Sequence, residues 1–324
     1  MVIATRLTEE LGIRHPIISA PMAFAAGGKL ASAVCNAGAL GLIGGGYGDG
    51  DWIDGEFAAA GNAPVGCGFI TWSLAKQPHL LTRVLQHAPR AIFLSFGDPA
   101  PFIPSIKQAG ALVICQVQTR KDAKHAIENG ADIIVAQGTE AGGHGDKRAT
   151  LTLVPEVADL IKATRPATLL CAGGGIGDGR GLAAALMLGA DGVLIGSRLW
   201  ASTEANVSEG MHKAALAATG DDTIRSQVMD LARKLDWPSR YTARVLKNAY
   251  IERWHGREAD LMLVADEEAA KYRAAWAAGD PDRSNTFVGE VAGLIHTIEP
   301  VGTIIDRIVA EAAILLGNGS KYVR

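Results

Sequence analysis

The stretch "TLLCAGGGIGDGRGLAAALMLGADGVLIGS", residues 168–197, holds one complete turn of a pattern that recurs along the chain. It opens with an uncharged apolar run that ends in glycines. It then passes through Asp-Gly into a segment of helical spacing, stops at Gly-Ala, and restarts as a second uncharged run. Apolar runs without polar alternation suit strands covered on both faces, as in parallel sheets. The unit is strand, helix, strand.

Working outward, the same unit recurs. Apolar runs bounded by glycine stand at 16–22, 40–46, 65–70, 91–97, 112–117, 133–138, 168–174 and 192–197, and none contains Lys, Arg, Asp or Glu. Between most of them lie segments of helical spacing, such as "GKLASAVCNAGA", "HLLTRVLQHA", "RKDAKHAIENGA", "VPEVADLIKAT" and "GRGLAAALMLGA". Several close on Asn-Gly, Ala-Gly or Gly-Ala, as expected for glycine at a helix C-terminus. Eight alternations of strand and helix predict a (β/α)₈ TIM barrel. A doubly wound sheet would require G-x-G-x-x-G directly after an early strand. The glycine clusters at 44–50, 142–145 and 173–181 do not keep that spacing, and they follow the second, sixth and seventh runs.

After Trp200 the alternation stops. Residues 206–290 read as helices joined by polar loops, and "VGTIIDRIVAEAAILLG" (301–317) reads as an amphipathic helix suited to the barrel's outer ring. The expected organisation is a barrel built from residues 1–205 and 291–324, with a helical substrate-binding insert, 206–290, roofing the active site.

Composition narrows the function. A net charge of −3 offers no basic surface to follow nucleic-acid phosphates. The first residues lack a signal-peptide apolar core, and Gly or Asp interrupts the longest apolar stretches, so a membrane span is not expected. Cys35, Cys67, Cys115 and Cys171 form no C-x-x-C pair. That pattern suits a reducing, cytoplasmic setting.

Barrel enzymes build their sites at the C-terminal ends of the strands. Here those ends carry Met22, residues 44–46 and 69–71, Gly97, Gln116, Gln137 with Gly138, the glycines 173–175, and Gly196 with Ser197. The last two groups follow the seventh and eighth strands, where barrels frequently hold a phosphate. Their glycines admit an anion to backbone amides, a helix N-terminus follows, Ser197 adds a hydroxyl, and Arg198 is available as a charge. The ends carry no Lys for a Schiff base, no carboxylate pair and no H-E-x-x-H cluster, so no metal site is expected. A phosphate-binding barrel with an apolar, amide and glycine rim most naturally holds flavin mononucleotide (FMN), which brings its own redox chemistry. His144 lies among Gly142, Gly143 and Gly145 just past the sixth run, and it is the titratable ring this loop presents. The histidines at 15, 79, 87, 125, 212, 255 and 296 lack such a context.

"PIISAPM", "VAQGTEAGGHG", "CAGGGIGDGRGLAAALMLGADGVLIGSR" and "FVGEVAGLI" resemble the nitronate monooxygenase family, formerly called 2-nitropropane dioxygenases. The E-A-G-G-H element is shared with FMN-dependent enoyl-ACP reductases, so it marks the superfamily better than the substrate. Inosine monophosphate dehydrogenases have a similar phosphate site, but carry a catalytic cysteine where this chain has the His144 loop. The resemblance implies non-covalent FMN with Ala20, Pro21 and Met22 along the ring, and Gln116 and Gln137 at its polar edge. Gly138, Gly142 and Gly143 would allow close backbone approach, and Gly173, Gly174, Gly175, Gly196 and Ser197 would hold the phosphate. Some relatives carry Lys where Gln116 stands, and a neutral amide stabilises an anionic reduced flavin less.

The implied activity is single-electron oxidation of a nitronate by FMN, followed by reaction with O₂ to give nitrite and a carbonyl compound. His144 would act either as an imidazolium facing the nitronate or as a base toward a nitroalkane, and Glu140 and Asp146 are its charged neighbours in sequence. The glycine-rich, polar loop implies little packing by the ring. Two alternatives stay open: an NAD(P)H-dependent FMN reductase acting on quinones or an enoyl thioester, and a catalytically idle flavin-binding barrel. A homodimer is also left open.

Overall fold

The computed structural model describes residues 3–322, so the outermost ends of the expected barrel segments lie outside the described residues. Its strands are β1 (Ile17–Ser19), β2 (Leu42–Gly46), β3 (Gly66–Ile70), β4 (Ala91–Ser95), β5 (Leu112–Val117), β6 (Ile133–Gln137), β7 (Gly143–Gly145), β8 (Leu169–Gly173), β9 (Gly192–Ile195), β10 (Thr223–Ser226) and β11 (Thr242–Leu246). Each of the eight apolar runs contains one strand of a single parallel sheet, in the order β1-β9-β8-β6-β5-β4-β3-β2. The ring closes where Ser19 N donates to Leu40 O (2.9 Å) and Leu40 N to Ile17 O (3.0 Å). Leu42 N donates to Ser19 Oγ across the same seam (2.9 Å). The fold is a (β/α)₈ TIM barrel.

The absence of polar alternation now has a physical cause. Inward-facing Ile18, Leu42, Phe93, Ile114, Val135, Cys171 and Leu194 fill the barrel, and Leu7 and Leu11 pack beneath them. The alternate residues, such as Ile17, Ile43, Ile92, Val113 and Ile134, pack against the helices. Both faces of every strand are therefore buried, and a charge on either face would be desolvated without a partner.

The helix Val301–Gly317 forms as expected and lies against the helices Gly179–Met187 and Gly28–Asn36, so the chain's last long helix completes the outer ring. Gly179 permits the contact: a Cβ there would stand 2.5 Å from Glu311 Cβ and 2.6 Å from Ile308 O.

The segment 206–290 differs from the all-helical expectation. It contains helices such as Glu209–Ala217 and Ala265–Ala278, but also β10 and β11, which pair antiparallel with each other; β7 joins β11 from the barrel side. "RSQVMDLARKLDW" and "SRYTARVLKNAYIERWHG" each hide a strand ahead of a helix. Asn248 starts the second helix, accepting from Ile251 N at 2.9 Å, so helical spacing begins after β11 rather than at Ser239. Hydrogen bonds tie the two strands to the loop after β6: Arg225 and Arg244 stand opposite each other, and both donate to Thr139 O. Among the described residues, no helix is long and apolar enough to cross a membrane.

Candidate active site

A cavity of about 580 Å³ opens at the C-terminal ends of the barrel strands. Its size falls in the ~300–1,000 Å³ range of small-molecule and cofactor sites. The barrel contributes Ala20, Pro21, Met22, Tyr47, Phe96, Gln116, Gln137, Gly142, Gly143, His144, Gly173, Gly174, Gly175, Gly196 and Ser197 to its wall. The segment after Trp200 contributes Met211, Arg233, Trp237, Tyr272 and Phe287. The structure thus gathers His144 and the residues expected to hold the flavin into one wall, except Gly138, while Gly44, Gly45, Thr71 and Gly97 lie outside it. A Cβ on Gly138 would lie 1.9 Å from Thr150 Oγ1 and 2.2 Å from Glu140 Oε2, so that glycine serves the packing of the loop behind the cavity.

One end of the cavity is built for an anion. Gly174 and Gly175 adopt φ of 99° and 73°, which side chains rarely tolerate. The amides of Gly174, Gly175, Gly196 and Ser197 have no hydrogen-bond partner among the described residues. None of the four residues is fully buried and all four line the cavity, so their unpaired amides form an open donor cradle. Ser197 Oγ accepts from Gly289 N at 2.9 Å and keeps its own proton to donate.

Two expected contributors are absent from this end. The N-terminus of Gly179–Met187 is already satisfied: Asp178 Oδ1 accepts from the amides of Arg180 and Gly181, and Glu311 Oε2 accepts from Gly179 N (2.8 Å). Arg198 points away, donating to Ala201 O (3.0 Å) and Thr297 O (3.1 Å) and pairing with Glu299 (3.3 Å). Burial, with Arg307 nearby, pulls its pKa down to about 10 against the opposing charge of Glu299.

The amides at the other end divide. Gln116 reaches the cavity with no side-chain partner among the described residues. Gln137 is committed instead: its Oε1 accepts from Gln118 Nε2 (2.8 Å), and its Nε2 donates to His144 O (3.0 Å). It fixes the position of β7 rather than offering a free edge to a ligand.

His144 is not on a loose loop. Gly143, at φ 73°, turns the chain so that His144 pairs with Ala243 of β11. Its ring stacks on Trp237 with centroids 3.4 Å apart and planes at 6°. Phe96 borders both rings while holding a φ of 60°, the kind of backbone strain that clusters at functional sites.

His144 Nε2 lies 2.8 Å from Asp230 Oδ2, and both side chains are buried. Burial pushes the imidazole pKa below its usual value; the hydrogen bond and charge of Asp230 resist this, while Arg233 and Arg225 add to it. The ring is therefore neutral at neutral pH. Its Nε2–H donates to the carboxylate, and Nδ1 is left as a free acceptor in the cavity wall.

The neighbours anticipated from sequence are engaged elsewhere. Glu140 accepts from Thr150 N and Oγ1 (3.0 and 2.9 Å), and Asp146 pairs with Arg240 (3.1 Å). The expectation of little packing by His144 is likewise overturned by its burial against Trp237.

Asp230, Arg233, Trp237 and Tyr47 escaped the sequence reading. Asp230 Oδ1 accepts from Arg233 Nη2 (2.8 Å), and Tyr47 OH accepts from Arg233 Nη2 (3.2 Å) and Trp237 Nε1 (3.1 Å). The one available signal is Asp230 set among Val228, Met229, Leu231 and Ala232, an acid where a short apolar helix would bury its face.

A family model described as "Nitronate monooxygenase" matches residues 4–65 and 70–311. A nitronate monooxygenase of Neurospora crassa is 32% identical over 91% of this chain and 88% of its own length. The nitronate monooxygenase npaC of Metarhizium robertsii is 34% identical over 89% of this chain and 88% of its own. The structure of FabK from Thermotoga maritima superposes with a TM-score of 0.87 at 30% identity, covering 99% of this chain and 100% of that one. With family match, barrel and cavity in agreement, the chain belongs to the nitronate monooxygenase family of flavin-dependent oxidoreductases.

Proposed function

We propose that the protein is an FMN-dependent nitronate monooxygenase. It uses O₂ to convert alkyl nitronates, and nitroalkanes once deprotonated, to a carbonyl compound and nitrite. The observation that carries this reading is His144: a buried imidazole in the cavity wall whose Nε2 is tied to Asp230 and whose Nδ1 has no partner among the described residues, with burial holding its pKa low. That is the arrangement of an oriented general base.

The cavity's residues fit FMN. The amides of Gly174, Gly175, Gly196 and Ser197 would hold the phosphate, Ala20, Pro21 and Met22 would lie along the ring, and Gln116 would meet its polar edge. Gly142 lets the backbone at Val288 and Gly289 close against this wall, since a Cβ there would stand 2.6 Å from Gly289 N. Bound FMN supplies the electron acceptor. The chain positions the substrate, takes its proton at His144 Nδ1 and excludes water with Trp237, Phe287 and Met211 from the segment 206–290, which roofs the site in this reading.

The test is anaerobic stopped-flow reduction of the bound flavin by ethylnitronate, propyl-2-nitronate, NADH and NADPH, followed by nitrite and O₂ assays in air. Bleaching by the nitronates with nitrite release supports the proposal. A second reading, an NAD(P)H-dependent reductase, draws on the superposition with FabK. Rapid bleaching by NADH or NADPH with inert nitronates would establish it instead.

A further inference from the structure

Two cations line the cavity, the exposed Arg273 and the half-buried Arg233, and the guanidinium of Arg233 is only partly used. Nε donates to Met229 O (3.3 Å), and Nη2 donates to Asp230 Oδ1 (2.8 Å) and Tyr47 OH (3.2 Å). Nη1 has no acceptor among the described residues, while the side chain lines the cavity and is 15% exposed. Its plane is held between aromatic rings: the guanidinium carbon lies 5.6 Å from the Tyr47 ring centroid and 5.6 Å from that of Phe287. Asp230 pairs with it through Oδ1 alone, its other oxygen accepting from the neutral His144, so the Nη1 side of the guanidinium is left open. A fixed, partly desolvated guanidinium with a free N–H₂ group is a receptor for a planar oxyanion.

We propose that Arg233 is a second substrate-binding residue, whose Nη1 receives the oxygens of the nitro or nitronate group while His144 handles the α-proton. With a neutral nitroalkane, His144 Nδ1 takes the α-proton. The C–H electron pair becomes the C=N bond, and the negative charge moves onto the two nitro oxygens beside Arg233. A guanidinium already in place stabilises that charge as it develops. With a preformed nitronate no proton moves, and Arg233 holds the anion without a part for His144. The two residues thus leave different signatures: loss of the base penalises nitroalkanes, whereas loss of the receptor penalises both forms. Asp230 is a positioning residue that holds both.

This inference rests on the nitronate reading, and its test is chosen to separate the two. Nitrite, an inert planar oxyanion, is titrated into the flavin-loaded wild type and into Arg233→Met and Arg233→Lys, with binding read from the visible flavin spectrum. Kinetics with nitroethane and ethylnitronate follow. Arg233→Met should weaken nitrite binding by roughly tenfold or more and lower kcat/KM for both substrate forms by roughly 10²-fold, the scale of losing one oxyanion donor. If Arg233→Met does not fold, Arg233→Lys carries the test. Its single ammonium group, drawn to Asp230, should recover only part of the nitrite affinity.

Unchanged nitrite binding and unchanged ethylnitronate kinetics in a folded, flavin-loaded variant would overturn the proposal. So would loss of flavin with intact nitrite affinity in the retained fraction, which would assign Arg233 to the cofactor. A wild type that binds nitrite through Arg233 yet oxidises no nitronate would sink the functional reading and leave the receptor standing.

Discussion

His144 and Asp230 are 86 positions apart in the chain, and their side chains meet at 2.8 Å in the cavity wall. The pair gives the imidazole its tautomer and leaves Nδ1 without a partner among the described residues. It also makes the histidine part of a packed structure, because the ring lies flat on Trp237.

Replacing the ring should therefore affect both activity and stability. His144→Ala should lower turnover of nitroethane by ~10²–10⁴, the usual contribution of a positioned base. It should also destabilise the fold by about 1–3 kcal/mol, since Asp230 loses a hydrogen-bond partner in a buried position. Initial rates and urea unfolding of the flavin-loaded protein measure both, and a variant as stable as the wild type would contradict the packing role.

The pH dependence has a definite sign. Burial first, with Arg233 and Arg225, holds the His144 pKa below its usual 6.5, against the pull of Asp230. The base form therefore persists in the folded protein below pH 6.5, and the acid limb of kcat/KM for nitroethane should fall below that value. The unfolded chain takes up the proton first as pH drops, so stability should decrease from about pH 6.5 downward through the folded-state pKa. A pH series of rates and unfolding midpoints checks this; an acid limb above 6.5 would contradict it.

Asp230→Asn keeps the shape of the pair and removes its charge. The amide can turn its N–H₂ toward Nε2, which moves the ring proton to Nδ1 and blocks the base. The comparable change in a serine protease triad costs ~10⁴ in kcat. Here nitroethane turnover should fall by roughly 10²–10⁴ and ethylnitronate turnover by much less. Equal losses on both would assign Asp230 to anion binding through Arg233 rather than to the tautomer.

Gly174→Val tests the anion cradle. The residue has φ of 99°, and its Cβ would stand 3.0 Å from Gly138 O and 3.2 Å from Ala141 N. The backbone must shift, at a cost on the order of 1–3 kcal/mol for the strain alone. The purified variant should carry far less flavin than the wild type while its circular dichroism stays that of the barrel. Full flavin occupancy would place the phosphate elsewhere.

The barrel was legible because its evidence is local. An uncharged run such as "LLCAG" is buried on both faces wherever it pairs, and glycine at its end marks the turn into the site. The same holds for the cavity's barrel side, since Ala20, Pro21, Met22, Gln116, Gly174 and Ser197 all lie at or just past strand ends. The role proposed for His144 came from the family resemblance.

By itself, then, the sequence determined eight strands, their parallel order around a barrel, the helix that completes the ring and the glycine cradle at one end. Tertiary structure alone decided what surrounds His144. The pairing of β11 with β7, the stack of Trp237 on the ring and the reach of Asp230 to Nε2 all join residues far apart in the chain. Strand and helix periods report which face of an element is buried, because burial follows from neighbours a few residues away. Which charge a buried imidazole meets depends on chain closure over 86 residues, and no local period records it.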